Sequence, residues 1–556
     1  MMMSATKAQS MELNKNSFQQ DNVNDKSALL SEGDRASDIE YNNENDDTAS
    51  ILSTTDEIMD SVKIGLFHYL IVITCGLCFS GYGVYYQLLG LIIITACDLN
   101  INATSKAWLS ISLMIGIIPG TILFGGLADI YGRRKLLLFV VFLALISALA
   151  SAFAYNSVML SVMTGLVGCS YGGICAIIHS YVIEFFPRNY RGIAGSCVSA
   201  FTILGNVYGC VIGLVILPHS FHIHIGSIYF TNWRLYLLIA MIPTLVGFCM
   251  LFFMPNSLRF VLTKQEKKDV IHVLDKIDRI NSCYQCCGYK PTSRQSKSIQ
   301  SMIMNSHCDD IDISNIKNTT SHQYQSVKHA RKLMKQPWRK RLTLLSITWF
   351  GYCFSDKGFL IWIPTVLSYY ISGNTCRHRQ HNAIHNMSIN MTHSVSVNSL
   401  DCYSSENLKA VIVNLLIGNA LCIPLTISCI VLINRVGRKL LYSVMGLTCG
   451  LNLILICSID NLLSTTILSC IFMSFAAAGW IPVKIWSLEL FSTDIRSTAI
   501  GFLNVLAYVG CALGMVTFIL LFDTNCTATF IIFGSIALLA VVSTLFLPDT
   551  TNASID

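Results

Sequence analysis

Long apolar runs, separated by short polar or basic segments, dominate the pattern of this chain. Leu136 to Ala154 is a stretch of 19 uncharged, mostly apolar residues, close to what one helix needs to cross about 30 Å of hydrocarbon. Similar runs fall near 64–96, 108–124, 158–183, 193–217, 235–254, 342–371, 409–433, 440–459, 462–488, 497–522 and 528–547. A lipid-exposed backbone must satisfy its own hydrogen bonds, so each run is expected as a helix. The predicted fold class is an all-α membrane protein of twelve transmembrane helices.

The polar segments divide the chain further. Residues 1–63 are acidic and rich in Asn, Asp and Ser; no cleavable signal peptide is expected in them, and they are expected as a disordered cytoplasmic tail. Residues 64–254 form an N-terminal six-helix half, 255–341 a linker, 342–547 a C-terminal half with a polar loop at 372–408, and 548–556 a second tail. Within the linker, Val270, Ile271, Val273, Leu274 and Ile277 recur at helical spacing over Glu266 to Ile280, which predicts a surface helix. Residues 291–330, rich in Ser, Asn and His, are expected to be disordered.

A mean hydropathy of +0.55 with 13% charged residues excludes a soluble globule. Basic residues orient the chain. Arg133, Arg134, Lys135, Arg188, Arg191, the stretch 259–341, Arg435, Arg438, Lys439 and Arg496 follow even-numbered spans, whereas the alternate loops hold little beyond Lys106, Arg377 and Arg379. Both termini are therefore expected in the cytoplasm. The net charge of +6 reflects that bias, and nothing supports a nucleic-acid partner.

One signature occurs twice. Gly126-Leu127-Ala128-Asp129-Ile130-Tyr131-Gly132-Arg133-Arg134-Lys135 has a degenerate copy in Val431-Leu432-Ile433-Asn434-Arg435-Val436-Gly437-Arg438-Lys439, 305 positions later. The same shift lays Pro119 on Pro424, Glu184 on Glu489, Arg191 on Arg496, Gly205 on Gly510 and Gly209 on Gly514. An ungapped offset of this kind indicates a duplicated unit, hence two pseudo-symmetric six-helix bundles. Gly126 and Gly132 suit a tight turn and close helix approach. Asp129, Arg133 and Arg134 suit a latch at the cytoplasmic face, with Asn434, Gly437 and Arg438 as its worn copy. Glu184 with Arg191, and Glu489 with Arg496, are expected as paired gate charges.

The first copy resembles the signature of the major facilitator superfamily, and the resemblance covers 64–549. Within it, Leu217-Pro218-His219 with Gly226-Ser227 and Trp233-Arg234, Pro255-Asn256-Ser257-Leu258-Arg259-Phe260, Phe354-Ser355 with Gly358, Trp362 and Pro364, Trp480, and Glu489 to Asn504 resemble the synaptic vesicle glycoprotein 2 and related-protein branch. The chain departs from that branch in three places. Its loop between spans 7 and 8 is only about 37 residues, Gly81-Tyr82-Gly83-Val84-Tyr85 in span 1 holds no acid, and Lys484 stands where an acid is usual. This marks a divergent member. The resemblance implies a central cavity lined by spans 1, 4, 7 and 10.

Charges inside a span are costly unless they face a cavity or a partner, so they are site candidates. Lys484, with Trp480 and Trp362 as an aromatic floor, is expected to meet an anionic or mixed-charge solute, while Asp356 compensates Lys484 in the empty cavity. A purely structural Asp356–Lys484 pair is the alternative. His179 is either a proton relay or a hydrogen-bonded packing residue. Cys376 and Cys402 flank the 372–408 loop on the oxidising side and could pair. Asn386-Met387-Ser388 and Asn390-Met391-Thr392 are glycosylation sequons in that loop. Cys283, Cys286, Cys287, His307 and Cys308 lack the second paired motif of a zinc site. No nucleotide loop, metal pair or nucleophile–base spacing is visible, so no cofactor, metal or enzyme activity is expected.

Two functions remain open: a solute transporter, or a non-transporting vesicle glycoprotein acting as a scaffold in secretion, with trafficking proteins at its N-terminal tail. The partners common to both are the lipid bilayer and, for the first, a small solute. The expected location is a secretory or synaptic vesicle or the plasma membrane. An organic-ion carrier fits less well, because that family's large loop lies between spans 1 and 2.

Overall fold

The computed structural model describes residues 59–60, 64–99, 101–187, 190–219, 222–225, 228–257, 261, 267–285, 332–373, 376, 405–459 and 461–549. The N-terminal tail up to residue 58, residues 291–330, Cys402, His307, Cys308, Asn386, Asn390 and residues 550–556 lie outside them.

The first half comprises α1 (Leu66–Thr95), α2 (Ala103–Tyr131), α3 (Arg133–Ala152), α4 (Ser157–Ile183), α5 (Arg191–Ile216), and the in-line pair α6 (Asn232–Ala240) and α7 (Ile242–Leu251). The linker contributes α8 (Lys267–Gln285). The second half comprises α9 (Trp338–Leu360) and α10 (Ile363–Ile371), α11 (Ser405–Val436), α12 (Arg438–Ile459), α13 (Leu462–Ala478) and α14 (Trp480–Glu489), α15 (Thr493–Phe522) and α16 (Cys526–Leu545). Among the described residues, 11 helical segments are long and apolar enough to cross a membrane. The remaining span, α9–α10, carries Asp356 and Lys357 and breaks at Ile361–Trp362, where Pro364 enters the first turn of α10.

Duplication governs the packing. Gly132 and Gly437 both turn the chain with positive φ, 90° and 95°, between consecutive helices, a region open to glycine at no steric cost. Gly205 and Gly510 let a helix approach its neighbour closely, since an added Cβ would collide with the carbonyl oxygen of Ser80 or of Phe350 respectively. Gly126 behaves otherwise: nothing lies within 4 Å of its Cβ position. Close helix approach is not its role here, in keeping with the exposed Val431 at the equivalent site.

Polar side chains finish the helices. Asn156 caps α4 by accepting from the Met159 N–H at 2.7 Å, and Asn525 caps α16 through Ala528 at 3.0 Å. The α1 N-terminus is completed from outside: Asn281 of α8 accepts from the Phe67 N–H at 3.0 Å. The apolar face of α8, Val270, Val273, Leu274 and Ile277, is buried. Burial also pulls the Lys276 ammonium below its usual range, with the Arg134 charge adding to the effect.

Two features depart from the sequence pattern. A hairpin of β1 (His222–Ile225) and β2 (Ile228–Thr231) sits between α5 and α6, pairing His222 with Thr231. Cys376 is bonded to Cys526, 150 positions away, and not to Cys402. Sequence proximity favoured Cys402, but the start of α16 brings Cys526 beside Cys376, with Cα atoms 5.4 Å apart. Cys97 is disulfide-bonded as well.

Candidate functional site

The chemistry of the interior lies where α4 of the first half faces α9, α14 and α15 of the second. Lys484 projects from α14. Its side chain is exposed to solvent, yet its electrostatic neighbours are His179 and Cys175 of α4 and Lys357 and Cys353 of α9. It therefore lines a wet space inside the bundle. Among the described residues Lys484 forms no ion pair. Its Nζ lies 5.7 Å from the centroid of Trp480, within cation–π range.

Asp356 does not compensate Lys484. It is 2% exposed, and its Oδ2 lies 3.6 Å from Lys357 Nζ and accepts from Trp480 Nε1 at 2.6 Å, while Oδ1 finds no partner. Adjacent positions on one helix are seldom paired across its surface, and the indole clamp is what turns the carboxylate toward Lys357. Trp480 is half-buried, edge-on to Trp349 and Tyr352 at 5.7 and 5.1 Å. Trp362 is not part of a cavity floor. It is fully packed and stacks on Phe518 at 5.0 Å; six residues on from Asp356, it already faces a different side of the helix. His179 hydrogen-bonds Ser199 at 2.9 Å through Nε2 and meets Phe79 edge-on.

Contacts between the halves gather toward the disulfide-bearing end. Tyr86 donates to the Lys357 carbonyl, and Lys357 Nζ lies 5.7 Å from the Tyr86 ring. Asn419 donates to Gln87 at 3.5 Å and approaches Cys210 Sγ at 3.7 Å. Ser405 donates to the Pro218 carbonyl at 3.0 Å. Gly90 sits directly under the Ile361 carbonyl.

At the opposite, basic end the two signatures build matching networks. Arg133 pairs with Glu184, which also accepts from Ser257, and Arg133 donates to the Ser180 carbonyl at 3.1 Å. Arg438 pairs with Glu489 at 3.0 Å. Arg191 and Arg496 play a separate role, donating through Nε to the Phe186 and Phe491 carbonyls at 3.1 and 3.3 Å. Arg134 donates to the Phe252 carbonyl at 2.7 Å, closing the end of the last helix of its half. Lys439 does the same for Leu545 and Leu547. Asp129 and Asn434 lie on α2 and α11, and their side chains fall outside what is described.

One buried network carried no sequence signal of its role. Arg234, 1% exposed, donates to Asp98 at 2.9 Å and to the carbonyls of Ala152 and Ala154 at 2.8 and 2.7 Å, while Trp233 Nε1 donates to the other Asp98 oxygen at 2.8 Å. It ties α1, α3 and α6 together at the disulfide-bearing end. In the sequence, Trp233-Arg234 stood out only as part of the family resemblance, and Asp98 not at all.

The chain matches the family model of the Major Facilitator Superfamily over residues 73–376 and that of the Sugar (and other) transporter family over 377–556. It is 24% identical to the human synaptic vesicle glycoprotein 2B over 340 residues, 58% of this chain and 49% of that protein. It is 27% identical to the rat synaptic vesicle glycoprotein 2A over 318 residues, 54% and 42% respectively. The chain thus spans about half the length of the curated relatives it matches. Its fold superposes on the xylose transporter XylE from E. coli in a partially occluded inward open conformation with a TM-score of 0.61 and 14% identity, covering 88% of this chain and 99% of that one.

Proposed function

Because the chain belongs to the Major Facilitator Superfamily, as a divergent member similar to the synaptic vesicle glycoprotein 2 proteins, we propose that it moves a small anionic solute across a membrane by alternating access of its two halves. The observation that carries this reading is Lys484: a solvent-reached ammonium deep between the halves, with no carboxylate paired to it among the described residues. Such a charge is costly unless it serves a function. Trp480 supplies a flat face beside it, and Asp356 is already engaged by Trp480 and Lys357, so an incoming anion meets an uncompensated cation.

The remaining features support the same reading. The hydrogen bonds that the described residues make between the halves at the disulfide-bearing end are few, each worth about 0.5–1.5 kcal/mol net, so a second state with that end open stays within reach of a solute's binding energy. The Arg133–Glu184 and Arg438–Glu489 pairs keep each half's basic turns rigid while the halves rock. Basic turns at one end and the Cys376–Cys526 disulfide at the other fit a topology with both termini cytoplasmic. Asn386 and Asn390 then lie in the glycan-accepting compartment, in a secretory or synaptic vesicle or at the plasma membrane.

Uptake by the full chain in liposomes tests this, with panels of organic anions, cations and sugars, with and without a pH gradient. We expect accumulation of an anion that Lys484→Ala abolishes at unchanged reconstitution. Unchanged uptake in Lys484→Ala removes the role of that residue. Silence across all panels moves the reading to a non-transporting vesicle glycoprotein that engages trafficking proteins through its tail.

A further inference from the structure

A second site lies outside the bundle, at its basic end. Gln336, Arg339, Lys340, Thr343, Leu344 and Phe546 line a cavity of about 480 Å³ between the start of α9 and the end of α16. Arg339 and Lys340 are both exposed, and among the described residues neither side chain meets a carboxylate or any other hydrogen-bonding partner. Their neighbours are committed. Arg341 donates to the Leu490 carbonyl at 3.0 Å and stacks on Trp338 at 5.0 Å. Lys439 caps the carbonyls of Leu545 and Leu547, so the negative end of α16 is already neutralised beside the cavity.

The walls change character along the helix axes. Beyond the two cations and the Thr343 hydroxyl come Leu344 and Phe546, then the exposed Ile347 on α9 and Leu539, Val542 and Leu545 on one face of α16. Thr348 and Ser543 hydrogen-bond at 2.8 Å and hold the two helices together beneath this stripe. A cationic mouth with exposed alkyl side chains on both helices beside it matches an amphiphile with an anionic head better than a free ion.

We infer that this groove binds one anionic phospholipid, its phosphate held by Arg339 and Lys340 and an acyl chain laid along Ile347 and Val542. Juxtamembrane cations of this kind attract anionic headgroups, and Arg in particular grips a phosphate through two parallel N–H donors.

Native mass spectrometry of the purified full chain in neutral detergent provides the test, with phosphatidylserine and phosphatidylcholine of identical acyl chains as probes. We expect one phosphatidylserine retained in preference to phosphatidylcholine. The Arg339→Gln/Lys340→Gln double variant should lose that preference by roughly thirtyfold, as two headgroup-facing cations imply. Lys135→Gln, an exposed cation on the other half, should leave it intact. Glycerophosphoserine should fail to displace the lipid at equal concentration. Retention unchanged in the double variant, or lowered equally by Lys135→Gln, overturns the site. Displacement by glycerophosphoserine overturns the lipid as its ligand in favour of a soluble phosphate compound. Both substitutions are at exposed positions, and a symmetric gel-filtration peak with unchanged thermal midpoint shows that the fold persists.

Discussion

Arg438 pairs with Glu489 at 3.0 Å, and 305 positions earlier Arg133 pairs with Glu184 in the same setting. The sequence offset made these four residues candidates but suggested a different pairing, Glu184 with Arg191 and Glu489 with Arg496. In the fold the second arginines cap the carbonyls of Phe186 and Phe491 instead. The signature Arg, arriving from the neighbouring turn, takes the carboxylate. The Arg438 and Glu489 side chains are mostly buried, so Glu489→Gln should cost about 2 kcal/mol, typical of a hydrogen bond to a charged group. The exchanged variant Arg438→Glu/Glu489→Arg should recover part of that loss. Thermal unfolding in detergent, followed by intrinsic fluorescence, measures both; a double variant no better than its single parents would refute direct pairing.

The Asp98–Arg234 network permits a stronger statement. Arg234 is 1% exposed, with its charge met by one carboxylate and two carbonyls. Removing Asp98 strands a buried cation, which costs on the order of 3–5 kcal/mol. Asp98→Ala should therefore reduce folded, detergent-extractable protein severely, as read by fluorescence size-exclusion chromatography. Arg234→Lys should rescue little, because a point-charge ammonium cannot reach Asp98, Ala152 and Ala154 together. A profile for Asp98→Ala like that of the wild type would show that the network carries no such load.

How far the sequence reveals the fold depends on the range of each interaction. Apolar runs and the 305-residue offset exposed the spans, the two halves and the matched turns at Gly132 and Gly437, because these features are local or repeated. The Asp98–Arg234 pair joins positions 136 apart with no repeat to flag it. Trp362 misled for a different reason. The resemblance assigns span 7 to the cavity lining and so places it in the cavity, but its ring is buried within the second half, where stacking on Phe518 captures it. Cys376 found Cys526 and not Cys402 because spans distant in sequence end side by side. Lys484 was legible as an anomaly, a lone cation in an apolar run; that its partner is not Asp356 depends on the Trp480 clamp, which only geometry reveals.

The disulfide gives a direct check of that correction. Peptide mapping by mass spectrometry under non-reducing conditions should recover a Cys376–Cys526 crosslink from the wild type, and the same crosslink from Cys402→Ser. Cys526→Ser should lower the thermal midpoint, since a bond across a long chain segment contributes about 2–4 kcal/mol. Recovery of a Cys376–Cys402 peptide would reverse the assignment.

The two tryptophans separate the clamp from the core. Trp480 Nε1 is the only neutral donor that the described residues offer to Asp356, whose Oδ1 already lacks a partner. Trp480→Phe keeps the edge-on packing against Trp349 and Tyr352 but leaves the buried carboxylate short of a donor, at a cost of about 1–3 kcal/mol. Trp362 Nε1 donates to nothing among the described residues, and its ring is held by stacking, so Trp362→Phe should cost less than about 1.5 kcal/mol, as near-isosteric core changes do. In the uptake assay the order should be the same, with Trp480→Phe impaired because Asp356 is freed to draw Lys484 away from the solute. Trp362→Phe should transport normally. Thermal midpoints and initial uptake rates for the two variants, measured side by side, decide the matter: equal losses, or a larger loss for Trp362→Phe, would return Trp362 to the cavity and dissolve the clamp.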